Sequence, residues 1–308
     1  MKAWLSAALL AVPLHAAASG FERFTPLTGH GSLGAYVSDA QAPAPAQAVI
    51  ALHGYPRDAR RTFDATQAAV PAGTLVLAPL FQVPANNAGH CKGEGEPAAA
   101  AGDLLWRCGS WLAGGPAEND PAVSAFSAVD ALIAQARQRW PSLQVVTVAG
   151  FSAGAQWVQH YAAFARPAPQ GLRVRFVVAS PGTWLYADAW RPQAQAGCPT
   201  QNHWKYGLEQ LPGWLPANAA QARAQYDAAD ISYLAGALDT GNGPGTHAGV
   251  LDRSCPALAQ GPWRLQRAQA FTAHVGKPLL VVPGCAHDVR CVFTSAQGRR
   301  ALVPGPAG

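Results

Sequence analysis

Five consecutive residues, Gly150-Phe151-Ser152-Ala153-Gly154, carry the sharpest chemical signal in this chain of 308 residues. They follow the apolar run 145–149 and open a helical pattern over 153–165, the strand, tight turn and helix that a nucleophile elbow requires. The two glycines leave the backbone room to bend, because a side chain at either position would meet a neighbouring strand or helix. Ser152 is then held out above the edge of a sheet. A serine hydroxyl alone is a weak nucleophile, so a base and an orienting acid must come from further along. In such an arrangement they follow in the order serine, acid, histidine, each after a later strand. Asp239 follows the run 231–234 and His287 follows 279–282, which places both at carboxyl ends of strands, on the face where Ser152 stands. His287 would take the Ser152 proton and later deliver it to the leaving group, while Asp239 fixes the imidazole tautomer.

An oxyanion forming on the attacked carbonyl needs two backbone donors. The amide of Ala153 supplies one, and the loop after an early strand supplies the other. That loop is His53-Gly54-Tyr55-Pro56; Pro56 has no N–H, which leaves Tyr55 as the donor and His53 as a brace. Competing acids are Asp252, farther from its strand, and Asp288, too close to His287 along the backbone for a good bond. Of the other histidines, His15 belongs to the leader, His160 lies mid-helix, and His30, His90, His203, His247 and His274 have no supporting motif.

The elements that must position these groups are short apolar runs alternating with helical patterns, which argues for a mostly parallel sheet covered by helices. Strands are expected at 48–52, 74–78, 144–149, 174–179, 231–234 and 278–282, and helices at 58–69, 121–139, 153–165 and 262–275, the second entered through Asp120-Pro121 as cap and first residue. Continuous runs such as Val145-Val146-Thr147-Val148 suit strands buried on both faces. Two stretches break the alternation. Residues 83–117 are rich in Gly and Pro, and 182–227 carry Trp184, Trp190, Trp204 and Trp214 with Tyr186 and Tyr206. Excursions of this length read as binding loops or lids, so Trp106, Trp111, Trp184 and Tyr186 are candidates for an acyl pocket, against the plainer reading that such aromatics pack a satellite core. Residues 41–47 alternate Ala and Pro without forming a repeat.

The chain is 49% hydrophobic, enough for a large core, and only 13% charged, about half the usual ~25%. Lys and Arg number 22 against 17 Asp and Glu, but they form no run, and nucleic acid wants basic residues gathered on one face. Lys2 precedes an uncharged stretch, 3–18, that ends in small residues. This reads as a secretory signal over 1–19 rather than a membrane anchor, since Pro13 and His15 interrupt it. The remainder, 20–308, is expected to be one domain without a membrane span, exported to the periplasm or beyond. Export permits disulfides, and the six cysteines are expected to pair locally: Cys91 with Cys108, Cys198 with Cys255, Cys285 with Cys291. No C-x-x-C pair or zinc-like histidine spacing favours a metal.

Taken together, from residue 48 onward the order of motifs resembles the α/β-hydrolase superfamily. A narrower likeness, to a group of bacterial and fungal hydrolases, is carried by 150–161 (GFSAGAQWVQHY), 180–188 (SPGTWLYAD), 202–207 (NHWKYG), 251–255 (LDRSC) and 282–293 (VPGCAHDVRCVF). That group commonly has His where Phe151 stands and Gly where Ala155 stands. The resemblance implies an α/β-hydrolase fold and a serine hydrolase with its triad at Ser152, Asp239 and His287, needing no metal or organic cofactor. The expected reaction is hydrolysis of a small-molecule or polymeric carboxylic ester through an acyl-enzyme. A peptidase or amidase of the same fold and a non-catalytic binding protein are the alternatives.

Overall fold

The structure is a computed structural model that describes residues 20–38, 44–87, 91, 93, 95–193 and 197–305. The leader expected at 1–19, His15 within it, and His90 lie outside the described residues. Eight strands, β1 (Gly20–Phe24), β2 (Leu33–Val37), β3 (Gln47–Leu52), β4 (Leu75–Leu80), β5 (Val145–Phe151), β6 (Arg173–Ala179), β7 (Ile231–Gly236) and β8 (Leu279–Val282), form one sheet in the order β1-β2-β4-β3-β5-β6-β7-β8. All pairings from β4 to β8 are parallel. β1 and β2 add an antiparallel edge.

Both faces of the sheet are covered, which explains the unbroken apolar runs. Ala48, Ile50, Leu52, Val146, Val148 and Val178 point into a core shared with the helices Ala125–Arg139, Ala153–Phe164 and Arg264–His274. Val49, Ala149, Phe151, Val177 and Ala179 point the other way, against Ala65 and Ala69 of the helix Ala59–Ala69 and against Val289, Val292, Phe293 and Leu302 of the helices Val289–Thr294 and Ala296–Leu302. Register sets the functional edge: Leu52 lies opposite Gly150, Phe151 opposite Ala179, and Gly236 opposite Val282. The carboxyl ends of β3, β5, β7 and β8 are thus level along one rim.

The expected parallel strands and four helices are present, with ends displaced by a few residues. One boundary moves for a clear reason. The second helix begins at Ala125, because Ser124 accepts from the Ser127 N–H while the Ser127 hydroxyl accepts from the Ser124 N–H, a reciprocal cap that satisfies two otherwise unpaired donors. Asp120 instead receives the His30 ring at 2.7 Å. The edge strands β1 and β2 were not expected, nor was the helix Ala219–Ala228 inside the second excursion, whose buried residue is Ala222. The three disulfides join Cys91 to Cys108, Cys198 to Cys255 and Cys285 to Cys291. Among the described residues no helix is long and apolar enough to cross a membrane.

Candidate active site

Ser152 sits at φ 58°, ψ −120°, a conformation costly for a residue with a Cβ and one that the surrounding structure must enforce. Its N–H donates to the Ala179 carbonyl of β6 at 3.0 Å, and its carbonyl accepts from the Gln156 N–H at 3.2 Å. The flanking glycines are required by close approach. A Cβ on Gly150 would strike the Gly154 carbonyl, and one on Gly154 would strike the carbonyl of Leu52 at the end of β3. These are backbone atoms, so nothing can yield cheaply. The bend therefore passes tight against β3 and the loop that follows it.

That loop is braced from three sides. His53 is fully buried, with Nδ1 2.9 Å from the Gly54 carbonyl and Nε2 accepting from the Phe81 N–H at 3.3 Å. The Gly54 N–H donates to Asp58 Oδ1 at 3.2 Å, and the Arg57 N–H donates to the Gly54 carbonyl at 3.0 Å. Arg57 is itself buried and grips the Phe81 carbonyl through Nε at 2.6 Å. A Cβ built on Gly54 would lie 3.9 Å from the Ser152 Cβ, so the loop carrying Tyr55 runs alongside the serine. Ala153 opens its helix, and the first N–H groups of a helix have no partner within it. Ala153 thus adjoins Ser152 along the chain, and Gly54, the residue before Tyr55, approaches it in space.

Asp239 and His287 are brought together across the ends of β7 and β8. His287 Nδ1 lies 2.7 Å from Asp239 Oδ2, both residues being buried. A carboxylate only accepts, so Nδ1 carries the proton and Nε2 is left with a free lone pair. Two chain features make the approach possible. Gly236 lets β7 pass under the Cys285 and Ala286 carbonyls, where a Cβ would clash, and the Leu238 N–H donates to the Cys285 carbonyl at 2.8 Å. The Phe151 ring packs on the imidazole at 4.6 Å between centroids. Burial lowers the His287 pKa below the ordinary histidine value; the bond to Asp239 opposes this, and Arg264 adds to it.

The rival acids are engaged elsewhere. Asp252 accepts from the Tyr206 hydroxyl at 2.6 Å and lies 3.6 Å from Lys205 Nζ. Asp288 caps its helix by accepting from the Cys291 N–H and pairs with Arg61 at 2.7 Å. Arg264, which reading the sequence missed, has its guanidinium 3.4 Å from Asp239 Oδ1; nothing in the order of motifs marks a buried arginine as different from a surface one.

The acyl-pocket expectation is corrected. Trp106, Trp111 and Trp184 have no exposed surface and Tyr186 is 1% exposed. Trp111 stacks on Phe81 and meets His53 edge-on, Trp106 Nε1 donates to the Gly115 carbonyl, and Trp184 stacks on Phe271 with Tyr186 edge-on to the same ring. Large apolar rings gain most from full burial, and these four form part of the core. The exposed large apolar residues on the site's own loops are Tyr55, Leu238 and Val250. A cavity of about 650 Å3 exists elsewhere, lined by Leu27, Asp130, Tyr161, Phe176 and Gln225. No group of three or more His, Cys, Asp or Glu among the described residues could hold a metal ion.

No family model and no curated protein matches the chain. Its fold is similar to that of poly(aspartic acid) hydrolase-1 from Sphingomonas sp. KT-1, with a TM-score of 0.63 and 20% identity over 91% of this chain and 97% of that one. It is also similar to LpqC, the poly(3-hydroxybutyrate) depolymerase of Bordetella parapertussis, with a TM-score of 0.61 and 20% identity over 89% of this chain and 86% of that one. The chain has the α/β-hydrolase fold.

Proposed function

We propose that this protein is an exported serine hydrolase that cleaves carboxylic esters, with Ser152 as nucleophile, His287 as base and Asp239 as the orienting acid. The observation that carries the reading is the 2.7 Å bond between His287 Nδ1 and Asp239 Oδ2, formed by segments 48 residues apart on the rim where the strained Ser152 stands. Export is supported by the three disulfides, which persist in oxidising compartments.

In this mechanism His287 Nε2 accepts the Ser152 proton as Oγ bonds to the ester carbonyl carbon. The developing oxyanion is held by the Ala153 and Tyr55 amides, each such donor being worth roughly 3 kcal/mol in the barrier. Collapse of the tetrahedral species breaks the carbon–oxygen bond to the alcohol, which leaves with the proton from His287. Water then repeats the sequence on the acyl-enzyme and releases the acid. Throughout, Asp239 keeps Nδ1 protonated and stabilises the transient imidazolium.

The test is labelling of the purified protein by a fluorophosphonate probe, with turnover of short p-nitrophenyl esters, poly(3-hydroxybutyrate) and a peptide anilide by wild type and Ser152→Ala. Labelling and ester turnover that Ser152→Ala abolishes, with a loss of several orders of magnitude, support the reading. Absence of labelling overturns it, and anilide turnover without ester turnover replaces it with a peptidase.

A further inference from the structure

We propose that Arg264 is the positioning residue of the acid–base pair: its buried guanidinium, together with the first turn of its helix, fixes the Asp239 carboxylate and the loop between Asp239 and His287. This rests on the triad reading above.

Two consecutive residues grip the acid and a third grips its neighbour Thr240. Arg264 Nη1 faces Asp239 Oδ1 at 3.4 Å, the Leu265 N–H donates to the Asp239 carbonyl at 3.1 Å, and Gln266 Nε2 donates to the Thr240 hydroxyl at 2.7 Å. Asp239 is 1% exposed and Arg264 3%, and a buried carboxylate persists only with such partners. The first turn of the helix thus meets Asp239 through its backbone, and the Arg264 side chain meets the carboxylate.

The same guanidinium secures the loop that runs on from the acid. Nη1 donates to the Thr246 carbonyl at 2.6 Å and Nη2 to that of His247 at 3.5 Å. The loop contains Gly241, Gly243, Gly245 and Gly249, residues that lose the most backbone freedom on ordering, so it needs an external anchor. Its other hold is on the base itself, since the His287 N–H donates to the Gly245 carbonyl at 3.0 Å. Arg264 therefore reaches His287 twice, through the carboxylate that its ring bonds and through the loop that its backbone bonds.

A residue that only filled space here would lower stability and turnover together. A fixed positive charge beside the pair does more, because it disfavours the imidazolium. The charged or titratable groups around His287 are Asp239, Arg264, His247 with its ring 6.2 Å away, and the adjoining Asp288, which is paired with Arg61. Of these Arg264 is the buried cation, and among the influences on His287 its charge lowers the pKa.

The experiment compares wild type, Arg264→Gln and Arg264→Lys in two readouts: the pH dependence of kcat/KM on a p-nitrophenyl ester, and the NMR titration of His287 in protein carrying 13C-labelled histidine. Arg264→Gln is expected to lower the plateau of kcat/KM on the order of 10²-fold, as for a displaced catalytic group, and to move the acid limb and the His287 titration upward. Arg264→Lys keeps the charge and is expected to lose activity while holding the limb near that of wild type. An Arg264→Gln protein whose limb and titration stay in place overturns the inference, as does an Arg264→Lys protein whose limb moves as far as that of Gln. If Arg264→Gln does not fold, the Lys variant decides: a lowered plateau with the limb in place supports the inference, and a plateau equal to that of wild type or a displaced limb overturns it. The titration needs no substrate, so failure of the esterase reading leaves it informative.

Discussion

The Phe151 ring lies against the His287 imidazole, centroids 4.6 Å apart and planes 36° apart, so the residue before Ser152 also walls off the ring of the proposed base. Burial is the chief cause that holds His287 below the ordinary histidine pKa, and Phe151 supplies part of that burial from the end of β5. Phe151→Ala should admit water to the ring and move the acid limb of kcat/KM upward, toward the unperturbed value near ~6.5. The pH profile on a p-nitrophenyl ester checks this, and a limb that stays put or moves down refutes it.

The disulfides divide stability from geometry. Cys198–Cys255 closes a separation of 57 residues and Cys285–Cys291 one of 6. By loop entropy the first stabilises by about 4 kcal/mol and the second by about 2. The short bridge, however, clips the turn that carries His287. Removing Cys198–Cys255 by paired Ser substitutions should therefore lower the urea midpoint more, and removing Cys285–Cys291 should lower kcat more. Equal effects on both quantities would show that the short bridge has no positioning role.

Much of the fold and of the candidate site is legible in the sequence because each candidate feature is tied to a local pattern. The elbow needs glycines for a close approach that shows in five residues, and Asp239 and His287 follow strands that apolar runs announce. What was not legible depends on partners distant in sequence. β1 and β2 form an edge whose residues carry no strong alternation, and Ser124 outcompetes Asp120-Pro121 as a cap only because Ser127 reciprocates. Arg264 is marked only by the fold that brings it to Asp239. The tryptophans of the excursions look like a binding surface because residue type records affinity for apolar surroundings but not whether those surroundings are core or ligand.

That ambiguity gives a further prediction. Trp111→Ala removes a ring with no exposed surface that stacks on Phe81 at 5.4 Å, and should cost about 3–5 kcal/mol. Trp190 is 42% exposed and stacks on His274 at 4.1 Å; Trp190→Ala should cost about 1 kcal/mol or less. Denaturant unfolding measures both, and KM for a short ester should be unaltered in Trp111→Ala at temperatures where it is folded. A raised KM with little loss of stability would return Trp111 to the acyl pocket.

His53 links the loop that carries Tyr55 to pH. Its Nδ1–H donates to the Gly54 carbonyl while Nε2 accepts from the Phe81 N–H, a pairing that only the neutral ring satisfies, because a protonated Nε2 would face another donor. Burial accordingly lowers its pKa to about 3. The unfolded chain takes up this proton near pH ~6.5, so between that value and about 3 it binds a proton that the native state refuses. Stability should thus be unaffected by this group above pH ~6.5 and fall below it, by about 1.4 kcal/mol per pH unit for the one proton. His53→Asn should be less stable at neutral pH and show an acid slope shallower by that amount. Urea unfolding at a series of pH values measures the difference, and parallel slopes for the two proteins would mean that His53 is already protonated in the native loop.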